Sequence, residues 1–162
     1  MANINKISDD LARSCVWYNI GAMARQSLVS VHDFVIMIHV NLFDEPLDFI
    51  FDKMLSQLLE FLNSYVTKDE AIRFKTLIFS QIYDELKNGD LTEDDADRVQ
   101  ILYKHYINYA VTDGQKIQIN YLLQEQDLTN LTNIIDLDDE FCWEIVKKVF
   151  SINSPEFRLI DD

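Results

Sequence analysis

The chain has 162 residues, of which 48% are hydrophobic and 12% aromatic, so it can bury one sizeable core and does not have a disordered composition. Only three glycines and two prolines are present, which argues against a fold of tight hairpins and favours long helices with short connections. The 28 acidic residues outnumber the 14 basic ones, and the net charge of −14 argues against direct binding to nucleic-acid phosphates.

The acidic residues are unevenly distributed along the chain. Residues 1–43 contain three acidic and three basic residues, whereas the net charge is −3 over 44–83, −5 over 84–126 and −6 over 127–162. A gradient of this kind indicates an acidic face or end on the fold. The alternative is that the charge only keeps the protein soluble, because net charge away from zero opposes association.

Two helices are predicted in the neutral N-terminal quarter. Ser8 is the predicted N-cap of the first, which extends to Leu28. Its apolar positions at helical spacing are Leu11, Cys15, Tyr18 and Ala22. Residues 31–43 are apolar on nearly every side, which is typical of a helix enclosed by its neighbours.

The middle of the chain predicts two more helices. Pro46 suits the first helical position of one, and an apolar stripe follows over residues 47–65. Thr67 and Glu70 form the residue pair of a capping box, which opens the next helix. Gly89 is predicted to end that helix in a left-handed conformation.

A second capping-box pair, Thr92 and Asp95, predicts a further helix through Tyr109. Residues 113–114 then separate this helix from the segment 115–126, whose first six residues could also form a strand.

The segments 128–139 and 139–152 predict the last helices of the chain. The sequence as a whole predicts an all-α, single-domain irregular bundle of about six to eight helices over residues 1–152. Residues 153–162 are predicted to form a loosely ordered tail.

The two cysteines, Cys15 and Cys142, lie in apolar segments and are too few for a disulfide framework. We therefore expect buried free thiols in a reducing compartment. The N-terminus has no apolar signal core, and the densest apolar run, residues 34–43, is too short to cross a bilayer. We therefore expect a cytoplasmic protein without a membrane segment.

Residues 84–99 carry seven acidic residues against two basic ones, and three interpretations compete for them. A calcium loop with Gly89 at its sixth position would place Leu86 at the third position, where an oxygen ligand is required. A helix corner explains the same residues through a terminal glycine and a capping box. The third interpretation is an acidic surface that meets a basic partner.

The acidic residues exceed what a helix corner requires. Acids in a first helical turn are favourable to the helix dipole, but Asp90 and Asp97 are additional, and a second acidic run follows. The candidate partner-binding residues are Asp90, Glu93, Asp94, Asp95, Asp97, Tyr103, Tyr106, Asp136, Asp138, Asp139 and Glu140. Two alternatives remain open. The acids could belong to two separate helix ends that only face water, and the tyrosines could line the core.

Catalytic and metal-binding motifs are not recognisable in the sequence. His32 and His39 lie seven residues apart, too far along a straight helix for joint metal ligation, and His105 is expected to be structural. No set of nucleophile, base and orienting group follows from residue spacing, and no Gly-rich phosphate loop is present. We expect no cofactor, no metal and no enzymatic activity.

Small, acidic, motif-free helical proteins resemble, in general character, bacterial immunity proteins that neutralise nuclease toxins. They also resemble phage-encoded inhibitors that mimic nucleic acid. This resemblance implies occlusion, in which carboxylates pair with the Lys and Arg side chains that normally hold phosphates. The sequence predicts a non-catalytic protein that inhibits or neutralises a basic protein partner, possible partners being a nuclease toxin and a nucleic-acid-binding protein.

A second hypothesis is a self-associating structural or adaptor module. Residues 11–43 could form a homodimer through the apolar side chains Trp17, Tyr18, Phe34, Ile36 and Ile38. If these side chains form the centre of the bundle, the protein is a monomer; if they are exposed, a dimer would bury them.

Overall fold

A computed structural model describes residues 4–89, 91–125, 143 and 146–147 of the chain. Its helices are Asp10–Arg25 (α1), Val31–Asn41 (α2), Asp48–Ser64 (α3), Lys68–Asn88 (α4), Ala96–Tyr109 (α5) and Asp113–Glu125 (α6). Short 3-10 turns cover Ile4–Lys6 and Glu93–Asp95, and the described residues contain no strand. The predicted all-α class is confirmed.

The described chain divides into two compact units, with the boundary inside α4. The N-terminal unit covers residues 1–74, and the C-terminal unit covers residues 75–162. The single domain over residues 1–152 stays a prediction. The predicted tail, 153–162, lies outside the described residues.

The core of the N-terminal unit is built by α1, α2 and α3, which contact one another. The apolar stripe predicted for α3 is confirmed in its centre, whereas Leu47 and Tyr65 at its two ends are 37% and 46% exposed. Phe34 of α2 packs against Phe61 of α3, with ring centroids 4.6 Å apart. The buried apolar side chains of α2 and α3 include Phe34, Val35, Ile38, Ile50, Phe51, Met54, Leu55, Leu58, Phe61 and Leu62.

A buried ion pair connects α1 to the loop between α2 and α3. The Nε and Nη2 atoms of Arg13 donate to the carboxylate of Glu45 at 2.9 to 3.1 Å, and Arg13 Nη1 donates to the carbonyl of Ile7 at 2.7 Å. The Glu45 carboxylate also accepts from the backbone N–H of Leu47 at 3.1 Å. The two charged side chains are 4% and 0% exposed. Their mutual hydrogen bonds offset the cost of removing both charges from water.

The buried face of α1 differs from the apolar stripe predicted for this helix. The structure buries Arg13, Trp17, Gly21 and Ala24, whereas Leu11, Cys15 and Tyr18 are exposed. Gly21 fits this buried side, because a Cβ at this position would lie 3.1 Å from the amide nitrogen of Gln57 on α3, a tight contact.

The core of the C-terminal unit contains a cluster of aromatic rings. Tyr106 of α5 stacks against two rings of α4, with its centroid 4.2 Å from that of Phe79 and 6.0 Å from that of Tyr83. The buried apolar side chains of this unit include Ile78, Phe79, Ile82, Leu86, Val99, Leu102, Tyr103, Tyr106, Ile107, Tyr109, Ala110 and Ile119.

The ends of α1 were predicted with small errors. Asp9, not Ser8, is the N-cap, because its side chain accepts from the backbone N–H of Ala12 at 2.7 Å. The helix ends at Arg25 and does not reach Leu28, since Ser27 takes a φ of 59°. A left-handed residue at this point cannot continue a right-handed helix.

Pro46 and Gly89 also differ from their predicted roles. α3 begins at Asp48, two residues after Pro46. No glycine among the described residues has a positive φ, so the left-handed cap predicted at Gly89 is wrong. Glycine is needed there for another reason, because a Cβ at position 89 would collide with the carbonyl oxygen of Glu85.

Both predicted capping boxes are confirmed. Thr67 and Glu70 exchange hydrogen bonds before α4, and Thr92 and Asp95 do the same around the turn that leads into α5. A third box was missed. Gln115 donates from its backbone to Thr112 Oγ1 at 3.2 Å, and its side-chain oxygen accepts from the Thr112 N–H at 3.0 Å.

The third capping box places residues 113–114 inside the first turn of α6, not between helices. Residues 115–120, for which a strand was an alternative, are helical. The predicted helix over 128–139 lies outside the described residues. In the predicted helix over 139–152, Trp143, Val146 and Lys147 are described and helical.

Candidate functional site

The first candidate site is the junction between α4 and α5. We call it the acidic corner and define it by its described acidic side chains, Asp84, Glu85, Asp94, Asp95 and Asp97. Asp84, Asp94 and Asp97 are exposed, whereas Glu85 and Asp95 are half-buried. Three carboxylates of the corner are therefore open to a partner in solution.

Asp95 has a structural role within this corner. Its carboxylate accepts from the backbone N–H of Thr92 at 2.9 Å and from the Thr92 hydroxyl at 2.8 Å. These hydrogen bonds stabilise the ionised form and lower the pKa of Asp95. The capping box accounts for Asp95 without any partner.

Helix capping does not account for Asp84. Asp94 and Asp97 lie at the start of α5, where the helix dipole favours negative charge. Asp84 lies in the last turns of α4, where the dipole opposes negative charge. Its exposed carboxylate is thus better explained by solubility or by an interaction with another molecule than by the stability of its own helix.

Two cations accompany the carboxylates of the corner. Lys87 is exposed, and its Nζ lies 5.5 Å from the ring centroid of Tyr83. Arg98 is half-buried and helps to hold Asp95 in its ionised form. Since the segment 84–99 carries seven acids, these two cations leave a clear excess of negative charge.

The two tyrosines predicted to bind a partner lie in the core of the C-terminal unit. Tyr103 is 7% exposed and Tyr106 has no exposed surface. Burial raises the pKa of both phenol groups. Their placement agrees with the core alternative that the sequence left open, and we do not include them in the proposed surface.

The structure does not describe the remaining predicted site residues. They are Asp90, Asp136, Asp138, Asp139 and Glu140, together with the side chain of Glu93.

Metal ligation has no support in the part of the chain that the structure describes. No group of three or more His, Cys, Asp or Glu side chains lies close enough there to hold a metal ion. His39 lies on α2 with a buried Nδ1, and desolvation lowers the pKa of its imidazole. None of the six described helices has the length and apolar content that crossing a membrane requires.

The second candidate site is the exposed side of α1, which carries the apolar positions that the sequence predicted at helical spacing. Leu11 is 75% and Tyr18 62% exposed. Cys15 is an exposed free thiol, so the prediction that it is buried was wrong. Among the residues of the dimer hypothesis, Trp17, Phe34 and Ile38 are buried and Ile36 is half-buried, so Tyr18 is the exposed member. A signal for the correct face was present, because Trp17, Gly21 and Ala24 also follow helical spacing.

A groove of about 340 Å³ lies beside this exposed side of α1. Tyr18 and Cys15 line it from α1, and Phe49 and Lys53 line it from the start of α3. Phe49 is itself 69% exposed, so a large aromatic ring stands in water at the edge of the groove. Exposed aromatic side chains beside a concave, largely apolar surface are typical of an interaction site.

Comparisons with protein-family models, with curated proteins and with solved structures found no match. The functional proposals below therefore rest on the surfaces of this chain.

Proposed function

We propose that this chain is a non-catalytic acidic protein that binds a basic protein and inhibits or neutralises it. The observation that carries the proposal is the set of exposed carboxylates at the acidic corner, Asp84, Asp94 and Asp97, in a chain of net charge −14. The partner class that this charge attracts is a protein with a cationic surface, such as a nuclease or another protein that binds nucleic acid.

The proposed mechanism is occlusion of the partner's cationic surface. Carboxylates at the corner would pair with the Lys and Arg side chains with which the partner holds phosphates. The long-range negative potential of the chain would accelerate association, and salt would screen that attraction. The proposal assigns no catalytic residue and no cofactor.

The proposal is tested by affinity capture from a lysate of the source cells, at about 50 mM and about 300 mM salt, so that screening of the charges is compared directly. Three forms of the protein are immobilised. They are the unaltered chain, the variant D84N/D94N/D97N, and a control variant D33N/D44N/D69N. The control removes the same charge from exposed positions of the N-terminal unit.

We expect the unaltered chain and the control to retain the same basic protein at low salt, and the corner variant to retain at least about tenfold less. The affinity measured with the purified partner should fall as salt is raised. If no basic protein is retained, or if both variants lose it equally, the acidic corner is not the binding surface.

A further inference from the structure

We draw no further inference here: the strongest candidate, the exposed apolar side of α1 with the groove that Tyr18, Phe49 and Lys53 line beside it, carries none, because nothing in the part of the chain that the structure describes shows what covers it.

Discussion

In the N-terminal unit, the ionised pair Arg13–Glu45 is buried, while Leu11 and Phe49 are exposed to water. In the C-terminal unit the arrangement is reversed: a cluster of aromatic rings around Tyr106 is buried, and carboxylates of the acidic corner are exposed. The same chain thus exposes apolar side chains in one unit and carboxylates in the other. The difference predicts that substitution and pH act through different groups in the two units.

The largest expected effect is the loss of the buried ion pair of the N-terminal unit. Glu45→Gln removes the buried counter-charge of Arg13, whose remaining ion pair is with the exposed carboxylate of Asp10, and should lower the free energy of unfolding by about 3 kcal/mol. Urea denaturation measures this loss. The control is Glu60→Gln at the Arg25–Glu60 pair, whose side chains are 33% and 44% exposed, and it should cost less than about 1 kcal/mol. Equal losses at the two pairs would contradict the assignment of Glu45 as a buried anchor.

A pair of glycines tests the path of the backbone in the C-terminal unit. Gly89→Ala places a Cβ against the carbonyl oxygen of Glu85 and should lower the free energy of unfolding by roughly 1–3 kcal/mol. Gly114→Ala meets open space within α6 and should stabilise the protein by about 0.5–1 kcal/mol, because alanine loses less backbone entropy in a helix. Thermal unfolding of both variants gives the comparison. If Gly89→Ala left the free energy of unfolding unchanged, the backbone at the end of α4 would follow a different path from the one described.

His39 makes the N-terminal unit sensitive to mildly acidic pH. Burial lowers the pKa of His39 below its ordinary value of 6.5, so the unfolded chain takes up a proton that the folded chain does not. Its contribution to stability is complete above pH 6.5 and falls as the pH decreases through the folded pKa. Urea midpoints measured on both sides of this value should show the decline, and His39→Gln should reduce its slope. An unchanged slope would assign the decline to other groups.

The smallest expected effects come from two of the three capping boxes, the one at Thr67 in the N-terminal unit and the one at Thr92 in the C-terminal unit. Hydrogen bonds from Thr67 lower the pKa of Glu70 below 4.5, and those from Thr92 lower the pKa of Asp95 below 3.8. Each carboxylate contributes stability that is present above its unfolded pKa and lost as the pH falls through the folded pKa. Glu70→Gln and Asp95→Asn should each flatten the acid limb of a stability profile. A variant that keeps the parent's acid limb would show that its box does not form in solution.

Several features were predictable because they depend on neighbouring residues. The capping boxes at Thr67 and Thr92 follow from residues three positions apart, and the apolar stripe of α3 is continuous enough to define its buried side. The third box, at Thr112, has the same spacing but was missed because Gly114 suggested a break between helices.

The buried side of α1 could not be predicted in the same way. Two sets of residues follow helical spacing on this helix, one through Leu11 and Tyr18 and one through Trp17 and Gly21. The set that contains Leu11 has the more continuous apolar pattern. The outcome depends on Glu45, which pairs with Arg13 on the side of Trp17 although it lies 32 residues away in the sequence.

The sequence by itself determined the helical class, the positions of most helices and the net charge, because helix periodicity, capping and charge are properties of residues close together in the chain. The tertiary structure decided which side of α1 faces water, that Tyr103 and Tyr106 belong to the core, and that Asp95 caps a helix while Asp84 remains open to solvent. These outcomes depend on which surfaces meet when the helices pack, and packing joins residues whose distance along the chain carries no local signal.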